Sequence, residues 1–338
     1  MVMSLPNFRF QEPNAEAVAY LAQKKIGKTT FDWRDVWKEE HLNNFVVAKA
    51  MQLDVLTTIH ESLHQAIEKG LPFSQFKKDL QPKLEALGWW GKGQMTDPKT
   101  GEIRDVQLGS PHRLHTIYRT NKDMAYAASK WKRIEEREKD FPYLVYRIGV
   151  AKEHRPEHVK LDGLCLPVRH PIWKIIYPPN GWLCHCDVDQ ITKRQYEKYL
   201  KEGIDSSIGT QEIDPETGLP TGHATFKKIP LQTTAPKLEM VDWYNSRTGK
   251  MEKIPKGIDA GFDYNVGLAN QARLGSLTQT LTEKIKVAPP AIAKPFAMEM
   301  IKEYNNLYKT NADLMLTEQK TAMTLFFSFI KKLFSLGE

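Results

Sequence analysis

The chain has 338 residues, 41% hydrophobic and 26% charged, with a formal net charge of +7. This composition suits a globular protein of two or three folding units and excludes disordered, collagenous and disulfide-framework chains. The basic excess is spread along the chain and reads first as a solvated surface. Its three cysteines, Cys165, Cys184 and Cys186, are an odd number, which points to a reducing, cytosolic context rather than to disulfides.

Residues 1–34 predict an N-terminal arm: Pro6 and Pro13 interrupt it, and only 14–24 reads as a short helix. No basic n-region precedes an apolar run, so no secretory signal is expected. From about Asp35 the pattern turns helical, with Phe45, Ala48, Leu53, Leu56, Ile59, Leu63 and Ile67 at three- to five-residue steps. Gly70 and Pro72 supply the stop. Ser74 predicts the N-cap of a second helix carrying Phe76, Leu80, Leu84 and Leu87, kinked or split at Pro82 and ended by Gly88. Trp89-Trp90 beside Gly91 and Gly93 reads as a plug of that helix end against a core, with stacking on a nucleic-acid base as the alternative. The turn residues at 97–101 predict a surface loop over 95–109.

Ser110-Pro111 opens the clearest helix, whose apolar stripe runs through Leu114, Ile117, Tyr118, Met124, Ala125, Ala128, Trp131 and Ile134. Arg119, on its edge, suits a phosphate, a partner carboxylate or an internal ion pair with a downstream acid. Phe141-Pro142 breaks the helix. The stretch 143–150 then predicts a strand with Leu144, Tyr146 and Ile148 on one face.

Residues 153–187 concentrate His, Cys, Trp, Pro and Gly as no other stretch does. Asp162-Gly163 and Pro178-Pro179-Asn180-Gly181 are tight turns, and the β-branched and aromatic run 171–177 between them predicts a short buried strand. His158, His170, Cys184 and Cys186 are the candidate ligands of a structural zinc ion, with His154 and His185 in reserve. The alternative is hydrogen-bonded histidines in a polar core. Cys165, between Leu164 and Leu166, reads as a small buried residue rather than a nucleophile.

Beyond Asp187, 191–203 predicts a short basic amphipathic helix and 204–236 a long loop within a loop-rich extension (204–270). Gly261-Phe262-Asp263-Tyr264-Asn265 reads as an aromatic turn packed back on the preceding domain. A helical tail follows over 271–338, broken at Pro289-Pro290 and Pro295, with an aromatic face over 316–336 that predicts docking on its own body or a partner. Its most apolar tract, 325–330, is far short of the roughly 20 residues that span a bilayer, so no membrane role is expected.

Three blocks of this sequence resemble the Mu F-like family of tailed-phage minor head, or head morphogenesis, proteins. The first is the helical run from Phe45 to Gly91, followed by the helix holding Arg119-Thr120. The second is the series Arg155-Pro156-Glu157-His158, Leu161-Asp162-Gly163, His170-Pro171-Ile172-Trp173, Pro178-Pro179-Asn180-Gly181-Trp182 and Cys184-x-Cys186. The third is the Gly261-Phe262-Asp263-Tyr264-Asn265 turn. Two departures stand out. The family usually has Asn-Cys-Arg-Cys where this chain has Leu183-Cys184-His185-Cys186, and a Gly-Arg pair where it has Ala128-Ser129.

The resemblance implies an α+β architecture: a helical N-terminal region (35–109), a small mixed α/β Mu F-like core domain (110–203) with the Cys/His-rich knot, and the helical C-terminal tail. It makes Arg119, Arg155, Asp162, Gly163, Trp173, Pro178, Pro179, Gly181 and Trp182 structural signature residues. It implies a non-enzymatic minor head protein acting in head morphogenesis through the portal. Portal and capsid or scaffold proteins are then its partners, packaged double-stranded DNA is a further candidate, and the phage head is its place, with the host cytoplasm before that. The competing reading is a zinc-dependent nuclease or hydrolase built on the His/Cys segment. Against it, the sequence has no Gly-x-Ser-x-Gly elbow, Walker loop or Rossmann fingerprint.

Overall fold

In the computed structural model, residues 14–149, 151, 153–213 and 220–287 are described, with isolated positions up to 298. Expectations for residues 1–13 and for the aromatic face of the tail fall outside the described residues. The chain divides into two compact units at 270/271. Helix α8 (Val266–Val287) begins in the first and is the described helix that continues into the second. No helix among the described residues is long and apolar enough to cross a membrane.

Asn14 caps α1 (Ala15–Ala22) by accepting from the Ala17 amide at 3.1 Å. The helical pattern expected from Asp35 starts later than its periodicity suggests. Two 3₁₀ turns, Trp33–Asp35 and Lys38–Leu42, come first. Asp32 and Asp35 cap the first turn reciprocally, and Lys38 and Lys49 take positive φ, which no continuous helix allows. Helix α2 (Leu53–Glu68) then buries Val55, Leu56, Ile59, Leu63 and Ile67, and Gly70 follows it at φ +62°. Pro72, not Ser74, occupies the N-cap of α3 (Phe73–Ala86), and the helix is not divided at Pro82, which lies on its exposed face. Trp89 plugs the end of α3: it is buried, and its Nε1 donates to the Lys49 carbonyl at 2.8 Å.

The stretch expected as a loop over 95–109 is instead mostly a hairpin, β1 (Lys92–Thr96) paired antiparallel with β2 (Ile103–Gln107) around the 97–101 turn. Of its ten strand residues only Val106 is buried, so the hydrophobic alternation that announces a strand is missing. Helix α4 (Pro111–Glu136) starts as its sequence predicts, with the Ser110 side chain accepting from Arg113 N and Pro111 at the first position. At 26 residues and 1.5 Å per residue it is about 39 Å long, enough to serve two cores. Leu114, Tyr118, Ala125 and Ala128 belong to the first, built with α1, α2 and α3. Trp131 and Ile134 belong to the second.

That second core lies on a three-stranded antiparallel sheet in the order β4–β3–β5, where β3 is Tyr143–Arg147, β4 Cys165–Pro167 and β5 Asp187–Ile191. Central β3 is buried on both faces. Leu144 and Tyr146, with Ile148 beyond the strand, meet Trp131, as the alternation predicts. Val145 points into a third, small cluster with Cys165, Ile191, Ile204 and Leu231. Between β3 and β4 stands the single turn α5 (Pro156–Val159), and between β4 and β5 stands α6 (Trp173–Ile176). The strand predicted over 171–177 is therefore a one-turn helix. Trp173 and Ile176, three apart, both point into the core, and this packing outweighs the β-propensity of Ile172, Ile175 and Ile176.

Helix α7 (Lys193–Glu202) carries the Thr192/Gln195 capping box and stops at Gly203, φ +75°. The long loop predicted over 204–236 is largely a hairpin of β6 (Ile204–Ile213) and β7 (Pro220–Ile229), whose irregular register hides its period. A further hairpin pairs β8 (Met240–Asn245) with β9 (Lys250–Pro255). The aromatic turn at 261–265 packs back as expected, with Phe262 in the second core and Tyr264 in the first. Asn265 ties it down by accepting from Gly267 and Leu268 at the start of α8 and donating to the Trp173 carbonyl at 3.1 Å.

Candidate functional site

The segment 153–187 closes on itself through backbone carbonyls and two carboxylates. Asp162, buried, accepts from Ser206 Oγ at 2.8 Å, Ser207 N at 2.8 Å and Ser207 Oγ at 2.5 Å, which pins β6 to the β3–β4 connection. Gly163 needs its φ of +76°, and its amide donates to Tyr146 O at 3.0 Å. In the 178–181 turn, where the Pro178-Pro179 peptide is cis, Asn180 is fully buried. Its Oδ1 accepts the Tyr146 hydroxyl at 2.7 Å, and its carbonyl accepts Asp259 N at 3.0 Å.

Asp259 is the second carboxylate. Its Oδ2 accepts from Trp182 N at 2.8 Å and from Arg155 Nη2 at 3.0 Å, while the same Nη2 also donates to the Trp182 carbonyl at 3.1 Å. A Cβ at position 181 would run into the Arg155 guanidinium and the Asp259 carboxylate, so any larger residue there must displace that pair. The Trp182 ring lies edge-on to Phe262 at 5.0 Å, and Trp173, fully buried, donates from Nε1 to Pro167 O at 3.0 Å. Arg155, Gly181 and Trp182 thus meet at Asp259, which the sequence motifs do not include. Its only signal is its place between the glycines of Lys256-Gly257-Ile258-Asp259-Ala260-Gly261. Replacing Asp259 with Ala should cost about 1.5–3 kcal/mol, the range for hydrogen bonds to a charged group. Urea titration checks this, and an unchanged midpoint would show that the junction holds without the carboxylate.

Below this junction His158, Cys184 and Cys186 come together. Their donor atoms all lie within 4.8 Å of one another, with His158 Nδ1 at 3.8 Å from Cys184 Sγ and 3.5 Å from Cys186 Sγ. His158 Nε2 sits 2.9 Å from the Gly257 carbonyl. A carbonyl only accepts, so Nε2 carries the proton and Nδ1 presents its lone pair to the sulfurs. The thiols are unequal. The bond with Cys184 pulls Cys186 down, whereas that same bond and burial push Cys184 up. Cys165 lies apart, its thiol pushed up to about 12 by burial, and is a core residue.

The structure does not bring His170 to this group. Its Nδ1 accepts from Ile172 N at 3.2 Å, bracing the entry to α6. His154 is not in the group either, and His185 is exposed. Arg119 pairs with Asp123, one turn downstream, at 3.3 Å, as the internal-pair reading expects. Both line a cavity of about 250 Å³ together with Lys130, Pro178, Pro179, Cys184 and Cys186.

Residues 57–189 match the family model described as phage Mu protein F like protein. The chain is 33% identical over 273 residues to the putative capsid assembly protein F of Escherichia phage Mu, covering 80% of this chain and 58% of that protein. It is 35% identical over 241 residues to the Mu-like prophage FluMu F protein of Haemophilus influenzae, covering 71% of this chain and 53% of that one. The chain therefore spans little more than half the length of these relatives. No solved structure matches it. The matched segment runs from α2 to β5 and holds Arg155, His158, Gly181, Trp182 and both knot cysteines; the chain thus carries a phage Mu F-like domain over residues 57–189 and is similar to these F proteins over a longer stretch.

Proposed function

We propose that this chain is a non-enzymatic minor head component of a tailed phage or prophage that acts in head assembly. The carrying observation is the relationship to a protein named for capsid assembly, extending over 80% of the chain. The chemistry around the knot supports a structural role. Asp162, which the hydrolytic reading set beside the histidines, is taken up by internal hydrogen bonds from Ser206 and Ser207, and Asp259 by bonds from Arg155 and Trp182, so both carboxylates hold the fold together. The partners are portal and capsid or scaffold proteins, and the place is the head, reached from the host cytoplasm during assembly. Packaged DNA is a further partner through the basic surface. The five-part division into arm, helical region, core domain, extension and tail belongs to the same proposal.

Co-expression with the portal and major capsid proteins of the phage or prophage that carries it provides the test. The chain should sediment with procapsids and be retained by immobilised portal protein. Heads that form normally and contain none of it would refute the assembly reading.

A further inference from the structure

We propose that His158 Nδ1, Cys184 Sγ and Cys186 Sγ bind one zinc ion, with water in the fourth position. Zinc–nitrogen bonds of 2.0–2.1 Å and zinc–sulfur bonds of 2.3 Å at tetrahedral angles place nitrogen and sulfur about 3.6 Å apart. The two distances here, 3.5 and 3.8 Å, straddle that value. Two thiols and an imidazole form a soft donor set, which selects zinc over magnesium, calcium or manganese.

The imidazole is also oriented as a ligand must be. Metal-bound histidines almost always give their other N–H to a carbonyl or carboxylate, and His158 gives its own to Gly257 O at 2.9 Å. That approach depends on glycine: Gly257 has φ +86°, and a Cβ there would run into Glu157 on α5. Among the described residues, no fourth His, Cys, Asp or Glu atom joins the group. Cys184 and Cys186 also line the 250 Å³ cavity beside Arg119 and Lys130, a route by which water reaches the ion. The ion would clamp α5 to the start of β5, and through Gly257 to the turn after β9. This inference stands apart from the assembly proposal, since zinc content is measured on the isolated chain.

The full chain, expressed without a metal-binding tag and purified under reductant, should carry one equivalent of zinc by mass spectrometry. Cobalt substitution should give thiolate-to-metal charge transfer and the visible bands of a tetrahedral ion. The variants Cys184→Ser, Cys186→Ser and His158→Ala should each lose zinc, whereas Cys165→Ser and His170→Ala keep it. If the first three fail to fold, cobalt titration of the unaltered chain still decides, because two thiolates give twice the charge-transfer intensity of one. A chain that takes up neither metal, or that holds zinc undiminished in Cys184→Ser, overturns the site. So does a Cys184–Cys186 disulfide in place of bound metal.

Discussion

Replacing Trp173 with alanine should destabilise the protein by about 3–5 kcal/mol, the range for deleting a buried tryptophan. The ring is fully buried in the second core, among Leu144, Tyr146 and Ile176. Its loss removes a large apolar surface, leaves a cavity and strips the Pro167 carbonyl of its Nε1 donor. The backbone of α6 matters too, because the Trp173 carbonyl accepts from Asn265 and that of Lys174 accepts the Asn265 amide. A collapse around position 173 therefore loosens the cap of α8 as well. Trp173→Phe keeps most of the volume and loses the hydrogen bond, so it should cost less. Denaturant unfolding of both variants makes the measurement, and incorporation into heads should fall in the same order. A Trp173→Ala protein as stable as the unaltered chain would show that the second core does not depend on α6. Cys184→Ser separates structure from contact: melting like the unaltered chain while failing in assembly would make the knot a contact surface instead.

A second large effect is expected at Arg247, in the turn between β8 and β9. Its Nε and Nη2 hold Asp35 at 2.7 and 3.1 Å, and its Nη1 holds Asp97, whose side chain is inaccessible to solvent. This fork joins the β8–β9 hairpin to the first 3₁₀ turn and to the turn of β1–β2, beside the stacked Trp37 and Trp243 rings, 5.1 Å apart. Arg247→Leu leaves Asp97 without its hydrogen-bonded counter-charge and Asp35 with the more distant Lys99, at 3.7 Å, and breaking a buried pair in this way costs about 3–5 kcal/mol.

The pH dependence gives the sign. Burial acts to raise the Asp35 carboxyl, but the hydrogen bonds and charge of Arg247 outweigh it and hold it below the usual range. The Arg247 hydrogen bond likewise holds Asp97 low. A carboxyl depressed by folding contributes its stability above its unfolded value, about pH 4, and loses it as pH falls through the lower folded value. The deficit of Arg247→Leu should thus be full at neutral pH and shrink in acid below about pH 4, where protonation neutralises the stranded carboxylates. Denaturant midpoints at neutral and acid pH test this. A deficit that stays constant would mean the cost is packing rather than charge.

Local chemistry made several elements legible in the sequence. Ser110-Pro111 opens α4 because a hydroxyl cap and a proline at the first position act within one turn. Gly70, Gly88 and Gly203 follow helix ends with positive φ for an equally local reason. Residues 143–147 read as a strand because one face alternates, and Asp162-Gly163 and 178–181 read as turns from their own side chains. The motif set pointed to the Mu F-like proteins, whose family model matches 57–189, and drew attention to His158, Cys184 and Cys186.

Tertiary structure alone decided which histidine joins the cysteines. His158 and His170 look alike in sequence, but one faces Gly257, 99 residues away, and the other turns back on Ile172. It also made 171–177 a helical turn, since burial of Trp173 and Ile176 on one side outweighs strand propensity. The β1–β2 and β6–β7 hairpins were hidden because a largely exposed or irregular strand carries no period-two pattern. Asp259, Gly257 and Arg247 acquire their roles from backbone carbonyls, amides and buried charges brought in from distant segments. The fold alone sets which of these groups meet across distant segments, so composition, periodicity and motif spacing do not announce the pairings.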